Sequence, residues 1–227
     1  MYRGIIMKLL LSALTKFFAG LLIVGLLIFL PAGTLNYGGG LLFCAVLFVP
    51  IFILGIVLLV RLPNLLEKRL DSKEKDASQK GIVMLSALGF IAGFIMAGLD
   101  YRFSLSSVPA PVTVAAVVVF LLSYVLYAEV MRENEYLSRT VKVEEGQRVV
   151  DTGLYGIVRH PMYAVTVVMF LMIPLILGSL WSFIIFLHYP ALIVFRIINE
   201  EKLLTKELEG YAEYKKKVKY RLIPFIW

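Results

Sequence analysis

Four stretches of this chain, near 9–30, 40–60, 81–99 and 111–131, are each about twenty residues of almost unbroken apolar character, the length a helix needs to cross the hydrocarbon core of a bilayer. Each is bounded by turn-forming or charged residues. Pro31-Ala32-Gly33 ends the first and Arg61-Leu62-Pro63 the second, while Pro109 and Pro111 open the fourth and Glu129, Arg132 and Glu133 close it. A further apolar stretch, 161–198, is too long for one crossing. Gly178-Ser179 divides it, which predicts two arms of a tight helical hairpin, with Pro174 and Pro190 as kinks. Composition agrees: 60% of residues are hydrophobic and 17% charged, against about half apolar and a quarter charged in soluble domains. The excess apolar surface has to face lipid. The expected fold is therefore all-α, a polytopic membrane helix bundle of about six transmembrane helices whose last two form the hairpin. Arg3 and Lys8 precede the first stretch as in a signal peptide, but Lys16 interrupts it and no clear cleavage site follows, so it reads as a retained first helix.

Basic residues are unevenly spread. The segment 61–80 holds six Lys and Arg, 132–160 holds five and 199–227 holds seven, whereas 31–39 and 178–180 hold none and 100–110 only Arg102. Basic residues collect in cytoplasmic loops, so six crossings place both termini and every charged segment in the cytoplasm. The same topology accounts for the net charge of +7 without invoking nucleic acid. Cys44 is the sole cysteine and there are two histidines, which excludes an internal disulfide and leaves too few ligands for a protein-built zinc or iron–sulfur site. The stretch 67–80 reads as a solvated mixed-charge linker. In the tail, Leu203, Leu204, Leu208, Tyr211 and Val218 recur at helical spacing among charged residues, predicting an amphipathic C-terminal helix over the cytoplasmic face.

The polar chemistry gathers in two places. One is 146–163, which contains Arg159, His160, Tyr155 and Tyr163 and leads into the fifth helix with Pro161 suited to its first turn. The other is the exit of the sixth, Arg196-Ile197-Ile198-Asn199-Glu200-Glu201. The hairpin predicts that both lie on one side of the membrane and close together. Arg196 and Glu200, four residues apart, share a helix face. Taken singly, Arg159 reads as a headgroup anchor, Glu129 and Glu133 as helix-end residues, Tyr211 and Tyr214 as packing of the tail helix, and His188 and Tyr189 as packing or interfacial residues.

The string Gly-x-Tyr-x-x-x-Arg-His-Pro-x-Tyr at 153–163, followed by Glu200-Glu201, Leu204, Gly210, Tyr211, Tyr214 and Pro224, resembles the signature of the isoprenylcysteine carboxyl methyltransferases and their bacterial relatives; phosphatidylethanolamine N-methyltransferases share a looser form. The resemblance covers about 130–227, so the chain divides into N-terminal transmembrane helices over 1–131 and a site-bearing part over 132–227, integrated in one domain. It implies S-adenosyl-L-methionine bound at the cytoplasmic membrane surface, with Gln147, Arg148, Val149, Val150, Tyr155, His160, Pro161, Met162, Tyr163, Glu200 and Glu201 as cofactor contacts. It also implies a lipophilic or lipidated acceptor from the bilayer met by Arg196, with Arg196, Glu200 and His160 carrying the reaction. The carboxylate of an isoprenylcysteine-like substrate is the first expectation and an aminophospholipid the second. A small transporter or a non-catalytic scaffold is the rival of another class. A transporter needs ionisable groups along a path through the membrane, and only Lys16 lies well inside a predicted span.

Overall fold

The structure, a computed structural model, describes residues 2–70, 77–137 and 143–227, and of residues 2–5, 77 and 78 the backbone alone. The helices follow one another as α1 (Tyr2–Ala32), α2 (Gly38–Arg61), α3 (Pro63–Leu70), α4 (Ala77–Phe103), α5 (Ala110–Glu133), α6 (Pro161–Leu177), α7 (Leu180–Phe186), α8 (His188–Glu207) and α9 (Tyr211–Lys217), with a 3-10 turn at Gly153–Gly156. Among the described residues there is no strand. Among the described residues, five segments are long and apolar enough to cross a membrane: Ile6–Ala32, Gly38–Arg61, Gln79–Phe103, Ala110–Glu133 and Leu180–Glu207. The sixth, α6, has 17 residues, the short end of the spanning range of about 17–25.

The bundle closes around α4, α5 and α6. α5 lies along α6, α1 along α4, and α4 also meets α7 and α8. Between them runs a core of Phe43, Phe94, Phe120, Met169, Ile173 and Phe186. Aromatic edges interlock there: Phe90 stands edge-on to Phe170 at 4.9 Å and to Phe186 at 5.1 Å between ring centres. Lipid offers no hydrophobic drive for helices to associate, so close backbone approach matters more than in water. Gly98 of α4 supplies such an approach: a Cβ there would come within 2.4 Å of the Ile28 carbonyl oxygen in α1.

The hairpin forms where expected. Gly178 takes a left-handed conformation at φ 80° and ends α6, and the Ser179 hydroxyl accepts from the Ser182 amide to start α7. Asp100, buried at the end of α4, accepts hydrogen bonds from the hydroxyls of Ser179 and Ser106 and from the Ser106 amide, fastening the tip to the 103–110 connection. The returning arm breaks at Leu187, between α7 and α8. Pro190 explains the break, because it has no N–H for the Phe186 carbonyl and its ring crowds that group.

Two sequence expectations are corrected. Of the 67–80 linker, 67–70 belong to helix α3, which forms because Leu65 and Leu66 bury against Leu58 and Met131, and 77–80 open α4; its 71–76 part lies outside the described residues. The amphipathic tail is not one helix but the continuation of α8 to Glu207 and then α9, parted by Gly210 at φ 81°. Lys16 lies within the span Ile6–Ala32, as the sequence places it, and its ammonium donates to the Leu70 carbonyl at the end of α3.

The glycine contact yields a paired prediction. Gly98→Ala forces the α1 backbone away and should destabilise the bundle by about 1–3 kcal/mol. Gly55→Ala, where a Cβ meets nothing within 4 Å, should leave stability unchanged or raise it by roughly 0.5–1 kcal/mol. Thermal unfolding in detergent reads both; equal effects would refute the close-packing account.

Candidate active site

The polar end of the bundle is assembled from three separate parts of the chain. Residues 143–160 lead from α5 towards α6, the 196–207 half of α8 crosses them, and 208–227 folds back over both. Glu133, the last residue of α5, accepts from the Leu154 amide at 3.0 Å and so anchors the 3-10 turn. Gly153 has to be glycine here: its φ is 49°, and a Cβ would fall 1.3 Å from a Glu133 carboxylate oxygen. The turn delivers Tyr155, whose hydroxyl accepts from the Asn134 amide group at 3.0 Å and whose carbonyl accepts from Tyr214 at 2.7 Å.

Beyond the turn the backbone is extended. The Arg159 and His160 amides donate to the Tyr220 and Arg221 carbonyls, each at 2.9 Å. Pro161 then opens α6, and as a first-turn residue its missing N–H costs nothing. The side chains converge on Glu201, which is 4% exposed. Its Oε1 accepts from Arg159 Nε at 2.6 Å and lies 3.3 Å from His160 Nε2; its Oε2 accepts from Arg221 Nε at 3.0 Å. A carboxylate only accepts, so His160 Nε2 carries the hydrogen. Arg159 also donates to the Val218 and Lys219 carbonyls at 2.7 and 2.9 Å. Arg159, read as a headgroup anchor from sequence, is instead 7% exposed and inside this knot.

A second chain of contacts lies alongside. Arg196 Nε donates to the Tyr163 hydroxyl at 2.8 Å, and that hydroxyl donates to Glu200 Oε2 at 2.5 Å. The Arg196 guanidinium also stands 5.9 Å from the centre of the Tyr163 ring, and His160 stacks on the same ring at 5.8 Å. The two motifs thus meet through side chains of α6 and α8.

Between them is a cavity. Its wall contains Gln147, Arg148, Val149, Val150, Tyr155, His160, Met162, Tyr163, Arg196 and Glu200, ten of the residues singled out from sequence. Two others are not on it. Pro161 is turned into the start of α6, and Glu201 is enclosed by Arg159, His160 and Arg221. The wall also holds Asn134, Tyr136, Leu137, Arg159, Leu204, Leu208, Tyr211 and Tyr214. Tyr211 and Tyr214 were read only as packing residues; they do pack with Leu208 and Val218, and they also line the cavity. Among the described residues the buried Tyr211 hydroxyl has no hydrogen-bond partner. Burial pushes the phenols of Tyr155, Tyr211 and Tyr214 well above the ordinary tyrosine range, so all three are neutral donors at any physiological pH. From the N-terminal half, Arg69 of α3 reaches in to within 3.7 Å of the Met162 sulfur. Of the remaining residues weighed from sequence, Glu129 pairs with Arg132 at the end of α5, and the His188 ring lies where a Cβ on Gly89 would be, 2.0 Å away.

Removing the carboxylate from the Glu201 knot should leave Arg159 buried against opposing dipoles alone. Glu201→Ala is expected to lose about 3–5 kcal/mol of stability and to speed hydrogen exchange at the Arg159 and His160 amides. A variant as stable and as protected as the parent would show that the knot carries no structural weight.

Residues 111–210 match the model of the phospholipid methyltransferase family. A stretch of 91 residues is 33% identical to the Delta(14)-sterol reductase TM7SF2 of Mus musculus, covering 39% of this chain and 22% of that protein. The chain therefore spans about a fifth of that relative's length. The stretch shared with the methyltransferase family runs from α5 to the break before α9, and it contains every residue of the cavity wall except Tyr211 and Tyr214.

Proposed function

We propose that this chain is an integral-membrane, S-adenosylmethionine-dependent methyltransferase that acts on a lipophilic acceptor, with its active site and both termini on the cytoplasmic side. The observation that carries the proposal is the single cavity on which the Arg-His-Pro-x-Tyr start of α6 and the Arg196–Glu200 face of α8 converge. The match of 111–210 to the phospholipid methyltransferase family supports the reaction class. The gathering of basic segments at the cavity end of the bundle supports the orientation.

The donor set suits the cofactor. Glu200 is an acceptor for an amino group or ribose hydroxyls. Arg148 and Gln147 can bind a carboxylate, and the unpartnered Tyr211 hydroxyl is a buried donor waiting for an acceptor. Tyr155 and Tyr163 offer aromatic faces to a sulfonium, a contact worth about 0.5–2 kcal/mol each. When bound, the cofactor supplies a methyl group made electrophilic by the positive sulfur. The protein's work is alignment. Tyr163 is held on the cavity wall from both sides, by Arg196 and by Glu200. Glu201 positions His160 and is not itself a ligand contact.

For the acceptor, Arg196 favours an anion. A carboxylate, as in an isoprenylcysteine-like substrate, needs no base, because cation and anion react to neutral products and a dry pocket promotes that loss of charge. The family match favours a second reading, an aminophospholipid. There Arg196 would hold the phosphate, and a proton must leave the amine, for which His160 offers Nδ1, its Nε2 being committed to Glu201. The sterol reductase that shares 91 residues is named for an apolar polycyclic substrate, which agrees with a lipophilic partner in either case.

Calorimetry of the purified protein in detergent should detect S-adenosylhomocysteine. Glu200→Gln and Tyr163→Phe should each weaken binding by about tenfold, the equivalent of roughly 1.4 kcal/mol. Binding of a reduced nicotinamide dinucleotide in place of the homocysteine would overturn the proposal. With radiolabelled cofactor, label carried by a prenylcysteine analogue but not by phosphatidylethanolamine vesicles selects the carboxylate. Arg196→Ala should abolish that transfer while leaving cofactor affinity within a few-fold.

A further inference from the structure

The segment after α9 belongs to no spanning helix, yet it exposes three large apolar side chains: Ile223 at 47%, Phe225 at 87% and Ile226 at 77%. On the spans such exposure is what lipid requires; on a loop it marks a contact surface. The backbone holds these side chains outward. Phe225 sits at φ 66°, a region a phenylalanine rarely adopts, and the amides of Arg221, Leu222 and Ile223 all donate to the Trp227 carbonyl at 2.9, 2.9 and 3.1 Å. The inner face of the loop fixes its depth. Leu222 and Trp227 pack with Tyr189, Ile193 and Ile197, residues of the membrane-spanning segment Leu180–Glu207. The loop therefore doubles back towards the bilayer. Lys216 and Lys219 stand exposed just before it, Lys217 being paired with Asp151 at 2.6 Å, and Glu213 is the only acid between positions 211 and 227.

We infer that 223–226 is a wedge inserted into the membrane leaflet beside the cavity, with Phe225 and Ile226 among the acyl chains and the preceding lysines at anionic headgroups. Buried apolar area and attraction of basic groups to anionic lipid are the two terms that hold interfacial segments in place. The wedge is tied to the cavity wall through the Tyr220 and Arg221 carbonyls that receive the Arg159 and His160 amides. Insertion therefore sets the height of that wall relative to the membrane surface.

The test uses the full chain carrying Cys44→Ser, reconstituted in phosphatidylcholine–phosphatidylglycerol liposomes, with a polarity-sensitive fluorophore on Ile226→Cys or, as a second position, Ile223→Cys. Glu209→Cys, on the exposed turn before α9, is the water-facing reference. The expected result is blue-shifted emission at 226 and 223, quenched several-fold more strongly by lipids with brominated acyl chains, and several-fold less by iodide, than at 209. Iodide quenching equal to that at 209 overturns the inference, and so does resistance to both quenchers, which would put the loop in a protein contact. The readout needs no turnover, so it succeeds or fails separately from the methyl-transfer reading.

Discussion

The polar end of this molecule depends on one buried carboxylate. Glu201, on α8, draws Arg159, His160 and Arg221 onto its two oxygens, and so joins the helix to two chain segments that otherwise pair only through the Arg159 and His160 amides and the Tyr220 and Arg221 carbonyls. Charges taken from water need such saturation, since an isolated buried carboxylate or guanidinium costs several kcal/mol. Here Glu201 Oε1 meets two donors and Oε2 one, with the Lys215 ammonium 4.0 Å from Oε2, and Arg159 Nη1 donates to the Val218 and Lys219 carbonyls. The knot converts three loose connections into one wall, and the cavity exists because that wall has a fixed shape.

The opposite end obeys the same logic with less charge. Asp100 holds Ser106 and Ser179, so the hairpin tip is pinned to the end of α4. With the tip fixed and Gly178 closing α6, the cavity ends of α6 and α8 are constrained to meet. Apolar packing alone would leave the two arms free to slide, because Leu, Ile and Val side chains fit lipid as well as each other. Phe90, Phe170, Phe186 and Tyr189, interlocked edge to face, fix the register between the ends.

Much of this was legible from the residues. Runs of twenty apolar side chains dictate spanning helices, and Gly178-Ser179 dictates the reversal, because both follow from local rules. The convergence of the two motifs was also legible, since a hairpin returns its arms to one surface and Arg196 and Glu200 sit one turn apart. The neighbouring Glu201 shows where such reasoning stops. Adjacent helical residues point about 100° apart, so only one of a Glu-Glu pair could face the cavity, and nothing local says which. Tyr211 and Tyr214 were hidden for a related reason: they reach the cavity only because Gly210 turns the chain at the end of α8, and their helical spacing alone suggests packing. Helix α3 was masked by its charges, which outnumber the two leucines that decide its fate.

The series Arg196, Tyr163, Glu200 has a thermodynamic corollary. A phenol hydroxyl has one hydrogen to give, and here it is given to the carboxylate while the guanidinium occupies a lone pair. Whatever positive group settles on Glu200 competes for that acceptor, and whatever negative group settles on Arg196 competes for that donor. Each arrival loosens the link the other must break. Two oppositely charged molecules would therefore recruit one another across a single aromatic ring, and the enhancement would have to be equal in both directions.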